Sequence, residues 1–79
     1  MNYAIIGCGL IGKKRLAGLP AGSKLVVACD TNLARAEELV KLAGTGRAVA
    51  DYQQAVVDPQ VDVVIVAGLI HWLVKRRKD

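Results

Sequence analysis

Apolar and polar residues follow one another along this chain in blocks that predict strands alternating with helices. The predicted strands are short runs in which nearly every residue is apolar, as is typical of parallel strands buried on both faces. Glycine, proline or aspartate bounds most of these runs and ends the regular structure. The four predicted strands span residues 3–6, 24–29, 47–50 and 61–67.

The segments between these strands carry apolar residues at steps of three and four, the spacing of helices packed on a sheet. Thr31 or Asn32 can cap the second helix, and Asp51 can cap a short helical turn. The last segment, from Gly68 onward, predicts a fourth helix. The predicted helices span residues 10–19, about 33–43, the turn after 51, and the stretch from about 70.

This alternation predicts an α/β fold, the first half of a doubly wound sheet flanked by helices. Right-handed crossovers would place the parallel strands in the order 3-2-1-4. The order reverses between strands one and four, above Gly7 and Ala67. Open α/β sheets bind their ligands at such a point.

A glycine motif stands directly after the first strand, where residues 7–12 match the pattern G-x-G-x-x-G. Gly7 would permit a tight turn, and Gly9 would let the backbone approach a pyrophosphate. Gly12 would let the next helix pack closely on the strand. The free N–H groups at that helix N-terminus would face the phosphates. The strand and the helix around the motif favour a dinucleotide site over an ordinary glycine-rich turn.

Asp30 ends the second strand, eighteen residues after Gly12. A carboxylate there accepts hydrogen bonds from the adenosine ribose and repels the 2′-phosphate of NADP, so it favours NAD over NADP. The alternative role is a helix cap. The candidate cofactor-binding residues are therefore Gly7, Cys8, Gly9, Leu10, Ile11, Gly12, Asp30, Thr31 and Ala67.

Two basic features near this site have a structural and a functional interpretation. Residues 13–15, Lys-Lys-Arg, form a solvated helix face or add positive field near the pyrophosphate. Arg35 pairs with Glu38 on the helix surface or lies over the adenine edge. The surface interpretation is favoured in both cases.

The chain resembles the N-terminal part of the Gfo/Idh/MocA oxidoreductases. The resemblance rests on residues 5–12, on residues 25–30 with Arg35-Ala36, and on Asp-Pro-Gln-Val-Asp at 58–62 before an apolar strand. It implies an NAD(P)-binding Rossmann domain from a dehydrogenase that acts on a sugar, a polyol or a similar CH–OH substrate.

Other family features are missing from this sequence. Residues 67–72 read Ala-Gly-Leu-Ile-His-Trp where the family carries Ala-Thr-Pro-Asn or similar, and no Glu-Lys-Pro segment follows. The resemblance therefore implies a partial NAD(P)-binding domain over residues 1–79, without a substrate domain or catalytic residues. We expect a truncated or frame-shifted gene product, or a cut fragment, that is inactive alone.

The remaining chemistry of the sequence is limited. Cys8 and Cys29 indicate buried thiols in a reducing cytoplasm, although Cys8 at a helix N-terminus could be a reactive thiol. His71 is the only histidine, so no histidine cluster for a metal exists, and its apolar neighbours favour a structural role. No secretory signal or membrane span is predicted.

The net charge of +4 comes partly from the basic residues 75–78, which indicate a solvated tail or a nucleic-acid contact. Two other functions therefore remain open: a nonenzymatic nucleotide-binding module, and a basic interaction protein that uses this tail. The edge of the fourth strand is expected to be open, which predicts self-association or a complementing chain.

Overall fold

The computed structural model describes residues 1–67 and the backbone of residues 72–75. The described residues form five strands, β1 Asn2–Ile6, β2 Lys24–Cys29, β3 Arg47–Val49, β4 Val63–Val66 and β5 Trp72–Lys75. They also form three helices, α1 Leu10–Ala17, α2 Leu33–Ala43 and α3 Tyr52–Val56. The strands make one sheet in the order β3-β2-β1-β4-β5.

The order 3-2-1-4 of the first four strands, predicted from their alternation with helices, is confirmed. β1 lies at the centre, and β1, β2, β3 and β4 are all parallel. Each of these strands begins and ends within two residues of its predicted bounds. The carboxyl ends of β1, β2 and β4 therefore meet at one edge of the sheet, the edge that carries the glycine motif.

The predicted helix from about residue 70 is wrong where the structure describes that stretch. The backbone of Trp72–Lys75 is a strand that pairs antiparallel with β4, with Trp72 opposite Val66 and Lys75 opposite Val63. Trp and Val have high strand propensity, and β4 offers this segment a row of backbone groups to pair with. The expected open edge on β4 is therefore also wrong.

Both faces of the sheet are apolar because nearly every residue of its central strands is apolar. The register of β2 against β1 shifts between Leu25 and Val27, and these two residues pack on opposite faces. On one face Ile5 and Leu25 pack with Leu39 of α2. On the other face Val27 and Val61 pack with Ala55 of α3. This explains why the strands read as continuous apolar runs, as expected for a sheet covered on both sides.

The polar block before β4 fixes where that strand starts. Asp58 is buried, and its carboxylate accepts hydrogen bonds from the Gln60 N–H at 2.8 Å and from Arg47 Nη2 at 3.1 Å. The Asp62 carboxylate accepts a hydrogen bond from the Asn2 N–H at 2.9 Å. The block therefore holds β4 beside β1, at the place where the strand order reverses. It is not itself part of the candidate site.

The described part of the chain includes no helix with the length and apolar character needed to cross a membrane.

Candidate functional site

Two glycines of the motif are required by the fold itself. Gly7 has φ +94°, and a Cβ there would lie 2.3 Å from the Ala67 carbonyl oxygen. A Cβ on Gly12 would lie 2.1 Å from the Gly7 carbonyl oxygen. Both distances are far inside van der Waals contact, so larger residues are excluded at both positions.

Gly9 differs from these two glycines because, within the described part of the chain, no backbone atom lies within 4 Å of a Cβ placed there. The nearest heavy atom to a Cβ placed there is Arg35 Nη1, at 3.9 Å. Gly9 is also the N-cap residue of α1, and it has no side chain that could accept from the first N–H groups. Leu10 and Ile11 follow, and both are exposed. Backbone donors and an open approach are what a pyrophosphate would need at this place.

The end of β2 holds the glycine loop through three contacts. The Gly7 N–H donates to the Cys29 carbonyl at 2.7 Å. The Cys8 N–H donates to Asp30 Oδ2 at 2.9 Å, and the Cys8 thiol lies 3.2 Å from the Cys29 carbonyl oxygen. The other Asp30 oxygen accepts from the Asn32 N–H at 2.8 Å. Asp30 thus joins the loop, β2 and the turn before α2.

Asp30 is ionised at neutral pH. Partial burial raises the pKa of its carboxyl, but the Cys8 and Asn32 N–H groups and the charge of Arg35 together hold that pKa below its ordinary value. A lowered pKa stabilises the fold above about pH 3.9, the unfolded value, and this contribution is lost as pH falls through the folded value. A charged acceptor is therefore present at the site under physiological conditions.

The interpretation of Cys8 as a reactive thiol is not supported. Cys8 and Cys29 are both buried and free. Burial, then the charges of Asp30 and Cys29, raise the pKa of the Cys8 thiol to about 12. Burial, then Asp30 and Asp51, also raise the pKa of Cys29. Cys8 is a small buried side chain within the glycine loop.

We expect the native Cys8 thiol to react with Ellman's reagent at pH 8 at least about 100-fold more slowly than in the urea-unfolded chain, and Cys29 also to react more slowly, because the thiolate is the reacting form. Raised folded pKa values stabilise the fold fully below about pH 8.5, and this contribution is lost as pH rises toward the folded values. Denaturation midpoints should therefore fall at alkaline pH. Equal labelling rates in the native and unfolded chains would contradict this environment.

A groove of about 380 Å³ opens at the carboxyl ends of β1, β2 and β4. It contains two predicted site residues from the end of β2, Asp30 and Thr31, and Gly7 of the loop. Tyr52, an exposed residue at the start of α3, also lines it. Sequence reasoning missed Tyr52. Its position two residues after the third predicted strand, at the edge where ligands bind, was the available signal.

The favoured surface pair between Arg35 and Glu38 forms no close ion pair among the described residues: the pKa of the Glu38 carboxyl is lowered first by Lys13 and only secondarily by the charge of Arg35. The Glu38 carboxylate instead accepts a hydrogen bond from Lys13 Nζ, which joins α1 to α2. The helices pack side by side, and this brings Lys13 within reach across 25 residues of sequence. Arg35 lies beside Gly9 and Asp30.

The structure brings most of the predicted set together at one edge. The Ala67 N–H donates to the Ile6 carbonyl at 2.8 Å, so the end of β4 lies directly beside the loop. Gly68 and His71 lie outside the described residues, as do residues 76–79 of the basic tail. Among the described residues, no group of three or more His, Cys, Asp or Glu side chains is placed to hold a metal ion.

Residues 1–69 match the model of an oxidoreductase family with an NAD-binding Rossmann fold, Gfo/Idh/MocA. The chain is 36% identical over 70 residues to the inositol 2-dehydrogenase of Mycolicibacterium smegmatis, covering 85% of this chain and 20% of that protein. For the inositol 2-dehydrogenase of Rhodococcus erythropolis the identity is 33%, with the same coverage. The chain thus spans about a fifth of the length of these relatives.

Two solved structures are similar to this fold. The myo-inositol dehydrogenase from Lactobacillus casei, in complex with NAD(H) and myo-inositol, has a TM-score of 0.77 and 25% identity, covering 87% of this chain and 22% of that one. An NAD binding oxidoreductase from Klebsiella pneumoniae has a TM-score of 0.66 and 32% identity, and the match covers 86% of this chain and 21% of that one. The chain therefore belongs to the Gfo/Idh/MocA oxidoreductase family, as an NAD-binding domain with the Rossmann fold.

Proposed function

We propose that this chain holds the adenosine and pyrophosphate portion of NAD for a dehydrogenase that oxidises a CH–OH group of a polyol or sugar. The observation that carries the proposal is the ionised Asp30 carboxylate in the groove beside the open space above Gly9. A ribose acceptor and a phosphate approach thus adjoin one another. The names of the relatives, inositol 2-dehydrogenases, support the substrate class.

The proposed cofactor-binding residues divide by the part of NAD they contact. Gly9 and the first N–H groups of α1, at Leu10 and Ile11, bind the pyrophosphate. Gly7, Cys8 and Gly12 shape the loop, and Ala67 closes its far side. Asp30 and Thr31 lie at the ribose. NAD is preferred to NADP because the Asp30 charge repels a 2′-phosphate.

Tyr52 extends this assignment to the adenine. Its exposed ring lines the same groove as Asp30, on the side of β3 and α3. A flat aromatic base can stack on such a ring while its ribose reaches the carboxylate.

We expect Tyr52→Ala to weaken NAD binding by roughly fivefold or more, because stacking of a base on an aromatic ring contributes about 1–3 kcal/mol. Tyr52→Phe keeps the ring and is the matched control, which should retain the parent affinity. Calorimetric titration measures the NAD affinity of both variants and of the parent chain, and thermal unfolding verifies that each variant is folded. The proposal fails if the parent chain does not bind NAD, and the Tyr52 assignment fails if Tyr52→Ala binds as the parent does.

Residues 1–79 form, in this proposal, part of an NAD(P)-binding domain, and the substrate-binding residues and the catalytic acid or base lie outside them. The family match over residues 1–69 favours this function over a nonenzymatic nucleotide module or a basic interaction protein. The two buried free cysteines fit a reducing cytoplasm. Self-association or a complementing chain stays a prediction, although the β4 edge on which it was based is paired with β5.

A further inference from the structure

The Asp30 carboxylate makes a contact that ribose binding does not explain. Its Oδ2 accepts the N–H of Cys8, a residue 22 positions earlier that lies inside the glycine loop. Its Oδ1 accepts the N–H of Asn32. One oxygen is thus anchored to the turn before α2, and the other is directed at the loop.

We propose that Asp30 is a positioning residue for the phosphate-binding loop, and that its carboxylate holds the Cys8 N–H so that the loop keeps its shape before any cofactor arrives. The anchoring of Oδ1 by Asn32 fixes the orientation of the carboxyl group. The Gly7 N–H bond to the Cys29 carbonyl fixes the preceding residue at 2.7 Å. Two successive loop amides are therefore tied to the end of β2, and the open backbone of Gly9 follows them.

A neutral amide cannot replace this carboxylate. An asparagine has one acceptor oxygen, and its NH2 group only donates. In Asp30→Asn, either the Cys8 N–H or the Asn32 N–H therefore loses its acceptor. Asp51 provides a matched control, because its Oδ1 accepts the Gln53 N–H two residues on at 2.9 Å, in the same local arrangement as Asp30 with Asn32.

The first test needs no variant. A long-range NMR experiment that detects scalar coupling across hydrogen bonds should connect the Cys8 amide nitrogen to the Asp30 side-chain carboxyl carbon in the parent chain. At 8.4 kDa the chain is small enough for this measurement. Absence of the coupling, with the Asn32 coupling present, would overturn the proposal.

The second test compares amide exchange at neutral pH. Asp30→Asn should speed exchange of the Cys8 amide about tenfold or more, since a hydrogen bond to a charged group is lost. Asp51→Asn should leave the Cys8 amide unchanged. An unchanged Cys8 exchange rate in Asp30→Asn would overturn the proposal. If that variant does not fold, the coupling in the parent chain decides.

The third test separates this role from ribose binding by using inorganic pyrophosphate, which has no ribose. Loss of the negative charge alone would tighten anion binding in Asp30→Asn. Loss of the loop geometry should instead weaken it, by about tenfold. Equal or tighter binding would overturn the positioning role. Failure of the parent chain to bind pyrophosphate would count against the proposed function, and the scalar coupling would still decide the positioning role.

Discussion

We expect Gly12→Ala to lose about 3 kcal/mol of folding stability or more, because the new Cβ would lie 2.1 Å from the Gly7 carbonyl oxygen. That oxygen belongs to the backbone of a loop held at both ends, so it cannot move aside without separating α1 from β1. A chain of this size has roughly 4–12 kcal/mol of stability in total. Urea denaturation followed by circular dichroism measures the loss.

Gly18→Ala is the matched control for this variant. Gly18 follows α1, and a Cβ there would lie 3.5 Å from the Lys14 carbonyl oxygen, an ordinary contact. Its free energy of unfolding should stay within about 1 kcal/mol of the parent's. If Gly12→Ala unfolds at the parent's midpoint, the close packing of α1 on the loop is not as described.

The second large effect concerns cofactor affinity. Asp30→Ser should weaken NAD binding by roughly 10- to 100-fold, because a hydrogen bond to a charged group contributes about 1.5–3 kcal/mol. The affinity for NADP should fall by a smaller factor, since the repulsion between its 2′-phosphate and the Asp30 carboxylate disappears with the charge. The ratio of the two affinities is the decisive quantity, because any loosening of the loop weakens both cofactors.

Calorimetric titration of the parent chain, Asp30→Ser and Asp51→Ser with NAD and NADP measures this ratio. Asp51→Ser removes a carboxylate that caps α3 and should leave the ratio near the parent's value. A parent chain that prefers NADP would contradict the assignment of Asp30 to the ribose.

The sequence predicted the central four strands well because their signals are local and agree with one another. Residues 24–29 form β2 over the predicted span, since an apolar run is bounded there by Gly22 and Asp30. Chirality and the alternation of helices then leave little choice of strand order. The positions of Gly7 and Asp30 at one edge follow from the same topology.

The features that the sequence did not predict depend on contacts between distant residues. Trp72–Lys75 forms a strand because β4 is available to pair with it, and its own periodicity does not reveal this. Lys13 pairs with Glu38 because two helices pack side by side, and helix spacing alone suggested Arg35 instead. The position of Asp30 after β2 predicts a ribose acceptor or a cap, but it does not reveal the contact with the loop through Cys8.

The three glycines of the loop have unequal consequences for how such sequences diverge. Gly7 and Gly12 face backbone oxygens, so selection for folding alone would retain them. Among the described residues, a side chain at Gly9 would meet only the flexible end of Arg35, so folding tolerates one there. A lineage that no longer needed a nucleotide would accumulate replacements at Gly9 first, while the other two positions kept the appearance of the motif. Position 9 is therefore the most informative position of the motif when the motif is used to infer nucleotide binding.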